Sequence, residues 1–141
     1  MTSSDYAGDV SPVETWKMLE DSKNSRLIDV RTDPEWAFVG IPDLSSLQKE
    51  IMFISWQLFP NMQENPDFVK QLRDSGVAEE DQLMFICRSG GRSRMAAIEM
   101  TNQGFKSCYN VSGGFEGNQD DQSHRGMIDG WKFSKLPWKQ G

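Results

Sequence analysis

The sequence predicts an α/β sandwich in which a mainly parallel sheet is flanked by helices. Short apolar runs that suit strands alternate along the chain with segments that begin like helices. The sharpest run, residues 83–86, is apolar without alternation, which is typical of a strand covered on both faces. Parallel neighbours need crossover connections, and the intervening helices supply them.

Three helices are predicted from a capping side chain that is followed by a proline. The caps are Ser11, Asp33 and Asn65, each directly before a proline. At the first helix Glu14 stands where it completes a capping box. Gly40 ends the second helix, which is short, and Gly76 ends the third.

The predicted strands are residues 27–30, 51–54, 83–86 and 107–111, and we expect the second of them to be buried like the others. A fourth helix over residues 95–103 follows the third strand and stops at Gly104. The helix that follows the residue 83–86 strand begins near residue 92 or 93. After the last strand the chain turns at Gly113 and Gly114.

The chain divides into an N-terminal extension (residues 1–9), one folded domain (10–117) and a polar C-terminal tail (118–141). A length of 141 residues fits one domain, for which about 150 residues is the norm. We expect Trp131 and Trp138 to pack the tail onto the domain. Asp129 and Gly130 predict a hairpin turn within it.

Composition excludes several classes of partner. The 15 Lys and Arg residues against 21 Asp and Glu residues give a net charge of −6 without a basic block, so we expect no nucleic acid and no membrane partner. The N-terminus lacks a basic segment followed by an apolar one, which favours a cytoplasmic protein without a secretory signal. Two cysteines and one histidine call for no disulfide framework, no metal and no organic cofactor.

The segment after residues 83–86 is built to hold an anion. It runs Cys87, Arg88, Ser89, Gly90, Gly91, Arg92, Ser93. The two glycines let the backbone turn tightly and point N–H groups at one spot, and the following helix adds the positive end of its dipole. Together with the two arginines, these groups favour the thiolate form of Cys87 without a histidine base. A thiolate nucleophile that attacks a small anionic electrophile is therefore predicted.

At these residues the sequence resembles the rhodanese family of sulfurtransferases over roughly residues 10–117. The motifs are Leu27-Ile28-Asp29-Val30-Arg31, Asp33-Pro34-Glu35-Trp36, the Cys87–Ser93 loop, and Gly104-Phe105 before Tyr109-Asn110-Val111-Ser112-Gly113-Gly114-Phe115. The resemblance implies a three-layer sandwich in which Cys87 forms a persulfide. It also implies that residues 88–93 hold the sulfur, which a donor such as thiosulfate supplies and cyanide or a thiol accepts.

Two alternatives concern the function. Tyrosine phosphatases use a similar cradle with one more residue between cysteine and arginine; here four residues separate Cys87 from Arg92, and the next position is Ser93, so a phosphatase is disfavoured. The second alternative is a persulfide carrier that receives sulfur from a relay protein and turns over little thiosulfate. The sequence leaves this alternative open.

Three further residue assignments follow from their positions. Cys108 lies within a predicted buried strand and is more typical of core packing than of a resolving thiol. Asp29 and Arg31 are expected to make structural contacts, for example between Arg31 and Glu35.

Overall fold

The computed structural model describes residues 5–140 and builds them around one five-stranded sheet. The strands are Gly8–Val10 (β1), Ser25–Asp29 (β2), Ile41–Pro42 (β3), Met52–Phe53 (β4), Gln57–Leu58 (β5), Gln63–Glu64 (β6), Gln82–Ile86 (β7), Ser107–Val111 (β8) and Trp138–Lys139 (β9). The helices are Pro12–Asp21 (α1), Asp33–Phe38 (α2), Phe68–Asp74 (α3) and Gly91–Asn102 (α4), with a 3₁₀ turn at Ser45–Leu47. Within residues 5–140, no helix is both long and apolar enough to cross a membrane.

The central sheet has the order β1-β8-β7-β2-β4, and every pairing in it is parallel. The fold class predicted from the sequence is therefore confirmed. The register aligns Asp29 of β2 with Ile86 of β7, and Phe85 of β7 with Asn110 of β8. The carboxyl ends of three neighbouring strands thus meet at one edge of the sheet.

Each face of the sheet carries its own apolar core. Leu83, Phe85 and Cys87 of the central strand and its end belong to one cluster, which α3 and α4 cover. The intervening Met84 and Ile86 belong to the other, which α1 and Trp131 cover. This two-sided burial explains why the run at residues 83–86 is apolar without alternation.

Local cap chemistry starts the first two helices. In α1 the Ser11 hydroxyl accepts the Glu14 N–H at 3.1 Å, and the Glu14 carboxylate accepts the Ser11 N–H at 2.9 Å, as the capping box requires. In α2 the cap is Thr32 rather than Asp33, because Glu35 reaches back to the Thr32 N–H and hydroxyl. The helix therefore begins at Asp33, one residue before the start that a cap at Asp33 predicts.

Two other helices begin away from their predicted starts. The third begins at Phe68, because Asn65 uses its side-chain oxygen to accept the Asp67 N–H in a turn before the helix. The fourth begins at Gly91, before residue 92 or 93, because Gly90 takes a left-handed φ of 119° at the cap. The cysteine loop therefore runs directly into the helix N-terminus.

The edges of the sheet depart from the sequence analysis. A strand does form within residues 51–54, namely β4, but the prediction that it is buried is wrong, because β4 lies at the sheet edge and Phe53 is 40 % exposed. At the opposite edge β1 was not predicted, because its three residues include one apolar side chain only. It pairs with β8, so the sheet begins within the segment assigned to the N-terminal extension.

The tail joins the molecule through one buried side chain and one short strand. Trp131 is fully buried, and its Nε1–H donates to the Pro137 carbonyl at 2.8 Å. The predicted hairpin at Asp129 and Gly130 is wrong, because β9 pairs antiparallel with the distant β3.

Candidate active site

Cys87 lies at the carboxyl end of the central strand, where the chain leaves the sheet for α4. The residue follows Ile86, the last residue of β7, and is only 1 % exposed. The loop needs three residues to reach Gly91, the first residue of α4. Because the first N–H groups of an α-helix have no intrahelical acceptor, this end of α4 faces the cysteine with donors available.

The sulfur of Cys87 accepts hydrogen bonds from the loop backbone. The Gly90 N–H lies 3.1 Å from Sγ and the Ser93 N–H lies 3.4 Å from it. The Ser93 hydroxyl is also 3.1 Å from Sγ, and it donates to Oδ1 of Asn110 at 2.6 Å. Backbone donors placed in this way stabilise negative charge on sulfur.

The segment after β8 holds the cysteine loop from the other side. Phe115 donates its N–H to the Cys87 carbonyl at 2.8 Å, and Glu116 and Gly117 donate theirs to the Arg88 carbonyl at 3.0 and 3.2 Å. Gly114 has a left-handed φ of 63°, and a Cβ there would lie 2.5 Å from the Cys87 carbonyl oxygen. A glycine is therefore required for the two segments to approach this closely.

Arg92 is committed to an ion pair rather than to the centre of the loop. Its two terminal nitrogens donate to the two carboxylate oxygens of Glu35 at 2.7 and 2.9 Å. Burial alone raises the pKa of Glu35, but the hydrogen bonds and charge of Arg92, helped by Thr32, outweigh it and hold that pKa below its ordinary value. The pair anchors the start of α4 to α2.

Arg31 pairs with Asp29, and the expected contact between Arg31 and Glu35 is wrong. Nε and Nη2 of Arg31 lie 2.9 and 2.7 Å from the two Asp29 oxygens, and both side chains are fully buried. The guanidinium carbon lies 4.3 Å from the centre of the Phe115 ring. Since the Phe115 N–H donates to the Cys87 carbonyl, the buried pair packs against a residue that holds the cysteine loop.

The remaining loop residues differ in exposure. Arg88 is exposed and forms no ion pair with any residue from 5 to 140. Ser89 and Gly90 are partly exposed, Gly91 is exposed and Ser93 is buried. The seven predicted site residues thus run from Cys87 through loop residues 88–90 into the first turn of α4, with Arg88 as the cation open to solvent.

The structure adds residues to the site that the sequence analysis missed. Glu35, Asn110 and Gly114 each contact the loop from a different part of the chain. Glu35 and Arg92 are 57 positions apart, so no local pattern pairs them. All three residues lie within the motifs that carry the family resemblance, and the turn predicted at Gly113 and Gly114 is confirmed.

Cys108 and His124 lie outside the site. Cys108 is a free, fully buried thiol within β8, where desolvation raises its pKa to about 11. His124 is exposed in the tail, and its backbone N–H donates to Asp120. The structure therefore pairs neither residue with Cys87.

Comparisons with known proteins give a family and relatives that match most of the chain. The family model described as the STR4 middle domain matches residues 7–141. An uncharacterised protein of Rickettsia conorii, RC0915, is 42 % identical over 130 residues, which cover 92 % of this chain and 95 % of that protein. Rhodanese-like domain-containing protein 4 of Arabidopsis thaliana, a chloroplast protein, is 27 % identical over 91 % of this chain and 25 % of its own length.

Two solved structures are similar over nearly the whole chain. The crystal structure of Rv0390 from M. tuberculosis has a TM-score of 0.87 at 43 % identity and covers 97 % of this chain and 100 % of its own. The solution structure of the polysulfide-sulfur transferase homodimer of Wolinella succinogenes has a TM-score of 0.68 at 25 % identity, covering 94 % of this chain and 78 % of its own.

Proposed function

Since this chain belongs to the STR4 middle-domain family, and its relatives include an adenylyltransferase and sulfurtransferase of Candida albicans and the polysulfide-sulfur transferase of Wolinella succinogenes, we propose that it is a thiosulfate sulfurtransferase acting through a Cys87 persulfide. The sulfur passes from thiosulfate, or a similar sulfane-sulfur donor, to cyanide or a thiol. One observation carries the proposal: the backbone N–H groups of Gly90 and Ser93 converge on Sγ of Cys87 at the start of α4.

In the first half-reaction the Cys87 thiolate attacks the outer sulfur of thiosulfate. A bond forms between Sγ and that sulfur, while the sulfur–sulfur bond of thiosulfate breaks and its electron pair leaves with sulfite. The negative charge then rests on the outer sulfur of the persulfide. Loop amides at the N-terminus of α4 are placed to stabilise that charge.

In the second half-reaction the acceptor attacks the outer sulfur of the persulfide. Cyanide leaves as thiocyanate, or a thiolate leaves as a new persulfide, and the electron pair of the broken bond returns to Sγ of Cys87. The enzyme form that began the cycle is restored. Because the two substrates react in turn with one covalent intermediate, ping-pong kinetics are expected.

Arg88 is the cation that we assign to the donor. Its side chain is exposed and unpaired among the described residues, next to the nucleophile in sequence. An arginine offers planar, bidentate donors to the oxygens of a sulfonate-like group. Arg92 contributes its charge more weakly, because Glu35 neutralises it.

The pairing of Arg92 also favours a second candidate function. A divalent anion such as thiosulfate is held best by two free cations, and the loop offers one, Arg88. A persulfide carrier that takes sulfur from a partner protein, or from a donor with less charge, needs the N–H cradle alone. In that case Cys87 would be loaded by a sulfur-relay protein and would turn over thiosulfate slowly.

Mass spectrometry combined with steady-state kinetics tests both candidates. The protein is incubated with thiosulfate, the adduct on Cys87 is measured, and sulfite release is followed with cyanide present. We expect one added sulfur atom on Cys87, and sulfite release that Cys87→Ser abolishes and the matched variant Cys108→Ala preserves.

The outcomes separate the alternatives. A persulfide that forms on Cys87 while steady-state sulfite release stays at the background rate favours the carrier. Normal sulfite release by Cys87→Ser would overturn both candidates, since both depend on that sulfur.

A further inference from the structure

A chain of hydrogen bonds leads from Cys87 to the exposed edge of the sheet. Sγ of Cys87 lies 3.1 Å from the Ser93 hydroxyl, which donates to Oδ1 of Asn110 at 2.6 Å. Nδ2 of Asn110 donates to Oδ1 of Asp9 at 3.1 Å, and the Tyr6 hydroxyl donates to the same oxygen at 2.7 Å. The four links join α4, β8 and β1 to the cysteine loop.

The fold holds the members of this chain in place. Parallel pairing of β1 with β8 sets Asp9 directly opposite Asn110, and Ser93 lies in the first turn of α4. Ser93 is fully buried and Asn110 is 4 % exposed, so each depends on these partners, whereas Asp9 is exposed. A change at Asp9 is therefore compatible with folding.

The directions of these bonds follow from the proton that each group has available. A carboxylate only accepts, so Asn110 must turn its NH₂ group towards Asp9 and its oxygen towards Ser93. The hydrogen bond to Asp9 raises the pKa of Tyr6, which keeps its proton and donates it to the same carboxylate. Since the amide oxygen of Asn110 has no proton, the single hydroxyl proton of Ser93 must point at it.

We infer that Asp9 and Asn110 are positioning residues that make Ser93 present a lone pair, and not a proton, to Sγ of Cys87. The inference rests on Cys87 being the nucleophile of the proposed function. In this arrangement Ser93 accepts a hydrogen bond from the thiol of the free enzyme and opposes its ionisation. The thiolate is stabilised by the N–H groups of Gly90 and Ser93, without help from the hydroxyl.

Other charged groups around Cys87 are already engaged or face solvent. They are Arg92 with Glu35 of α2, Asp29 with Arg31 after β2, and the exposed Arg88. Arg92 lies close enough to Cys87 for their charges to interact, although its contacts with Glu35 are the stronger ones. In the proposed arrangement, the hydrogen bonds from Asp9 through Asn110 act against the thiolate, because they orient the hydroxyl proton of Ser93 away from the sulfur of Cys87.

The substitution Asp9→Asn tests this assignment. The new amide can donate to Oδ1 of Asn110, which can then turn its NH₂ group to Ser93 and release the Ser93 hydroxyl proton towards Sγ. A hydrogen bond to a charged group is among the stronger ones, so we expect alkylation of Cys87 by iodoacetamide at neutral pH to become about tenfold faster. The midpoint of the pH–rate profile moves to lower pH.

The double variant Asp9→Asn/Ser93→Ala separates hydrogen-bond orientation from a direct charge effect. Both the double variant and the Ser93→Ala variant are measured in high salt, which screens the exposed charge of Asp9. Without the Ser93 hydroxyl, adding Asp9→Asn should change the alkylation rate of Cys87 by less than about twofold. An equal gain with and without the Ser93 hydroxyl, or no gain in the single variant, would overturn the inference. Thermal unfolding checks that each variant is folded.

Alkylation needs no sulfur donor, so this test does not depend on sulfur transfer. If Cys87 fails to form a persulfide but Asp9→Asn accelerates alkylation, the proposed function fails and the positioning role stands. If the persulfide forms and alkylation does not respond, the positioning role fails alone.

Discussion

The two cysteines of the chain lie directly after one strand and within its neighbour, and both are free and buried, yet their surroundings differ completely. Cys87 follows β7 and is 1 % exposed, and Cys108 lies within β8 and is fully buried. Sγ of Cys87 accepts hydrogen bonds from the N–H groups of Gly90 and Ser93. At Cys108 desolvation dominates and raises the pKa of the thiol to about 11. Since both thiols are buried, we expect the donors and charges around each sulfur, and not burial itself, to decide which thiol reacts.

The difference comes from the position of each cysteine along its strand. In the middle of a parallel strand, the backbone N–H and C=O groups are hydrogen-bonded to the neighbouring strands, and the side chains pack against the apolar layer on each face of the sheet. The end of a strand leads into a loop whose amides are still unpaired, and here that loop opens the N-terminus of α4. The same residue type is core filler in one place and a nucleophile candidate in the other.

Competitive alkylation tests the comparison most directly. At pH 8 a thiol with a pKa of about 11 is ionised to only about one part in a thousand. We expect iodoacetamide to modify Cys87 at least about tenfold faster than Cys108, because the Cys108 thiolate is scarce and its side chain is fully buried, as measured by peptide mass spectrometry over time. Denaturing the protein should abolish the difference, and comparable rates in the folded protein would contradict the comparison.

Gly114→Ala is expected to disrupt the cysteine loop around Cys87, because Gly114 packs directly against the backbone of that loop. The new Cβ would lie 2.5 Å from the Cys87 carbonyl oxygen and 2.6 Å from the Arg88 carbonyl carbon, at a left-handed φ of 63°. Overpacking and backbone strain together should lower the free energy of unfolding by about 4 kcal/mol. Chemical denaturation at neutral pH measures it, and sulfur transfer should fall at least tenfold in the protein that remains folded.

Gly76→Ala is the matched control for that substitution. Gly76 also has a positive φ, of 94°, but a Cβ there meets nothing within 4 Å. Strain alone should cost about 1–2 kcal/mol and leave sulfur transfer unchanged. Equal losses of stability and of sulfur transfer in the two variants would mean that the close approach of Gly114 to the cysteine loop contributes to neither property.

Local sequence patterns were enough to predict the half of the site that lies on one segment. The strand at residues 107–111 matches β8 residue for residue, and the capping box at Ser11 forms as expected. These features depend on interactions within a few residues. The loop from Cys87 to Ser93 belongs to the same class, since strand, turn and helix start are consecutive in the chain.

The other half of the site depends on pairings that only the folded sheet creates. Asp9 and Asn110 are 101 positions apart and meet because β1 pairs with β8, although β1 is too short to carry an apolar pattern. The pairing of Arg92 with Glu35 was also not predicted, because Arg31 lies close to Glu35 in the sequence and was expected to be its partner. Register and crossover geometry, not residue type, decided these contacts.

The Cys108 side of the comparison is expected to appear as a loss of stability at alkaline pH. A thiol whose pKa rises from 9.0 to about 11 on folding contributes stability that is fully present below pH 9 and is lost as the pH rises towards 11. The loss should reach at most about 3 kcal/mol. Urea unfolding of wild type and Cys108→Ala between these pH values isolates the contribution, because other alkaline titrations are common to both. Identical pH dependence in the two proteins would contradict the prediction.

Glu35→Gln should give the smallest effect, on the ion pair that anchors the start of α4. The amide keeps part of the contact with Arg92 but loses the charge, so we expect a loss of about 1 kcal/mol at neutral pH by urea denaturation. Because the pKa of Glu35 is lowered in the folded protein, the wild-type advantage is present above the ordinary value of 4.5 and disappears as the pH falls through the folded pKa. Asp74→Asn breaks the pair between Lys70 and Asp74, whose side chains are 75 % and 64 % exposed, and should leave the free energy of unfolding nearly unchanged. If the Glu35 variant is no less stable than the Asp74 variant, the cysteine loop is held by the segment after β8 alone.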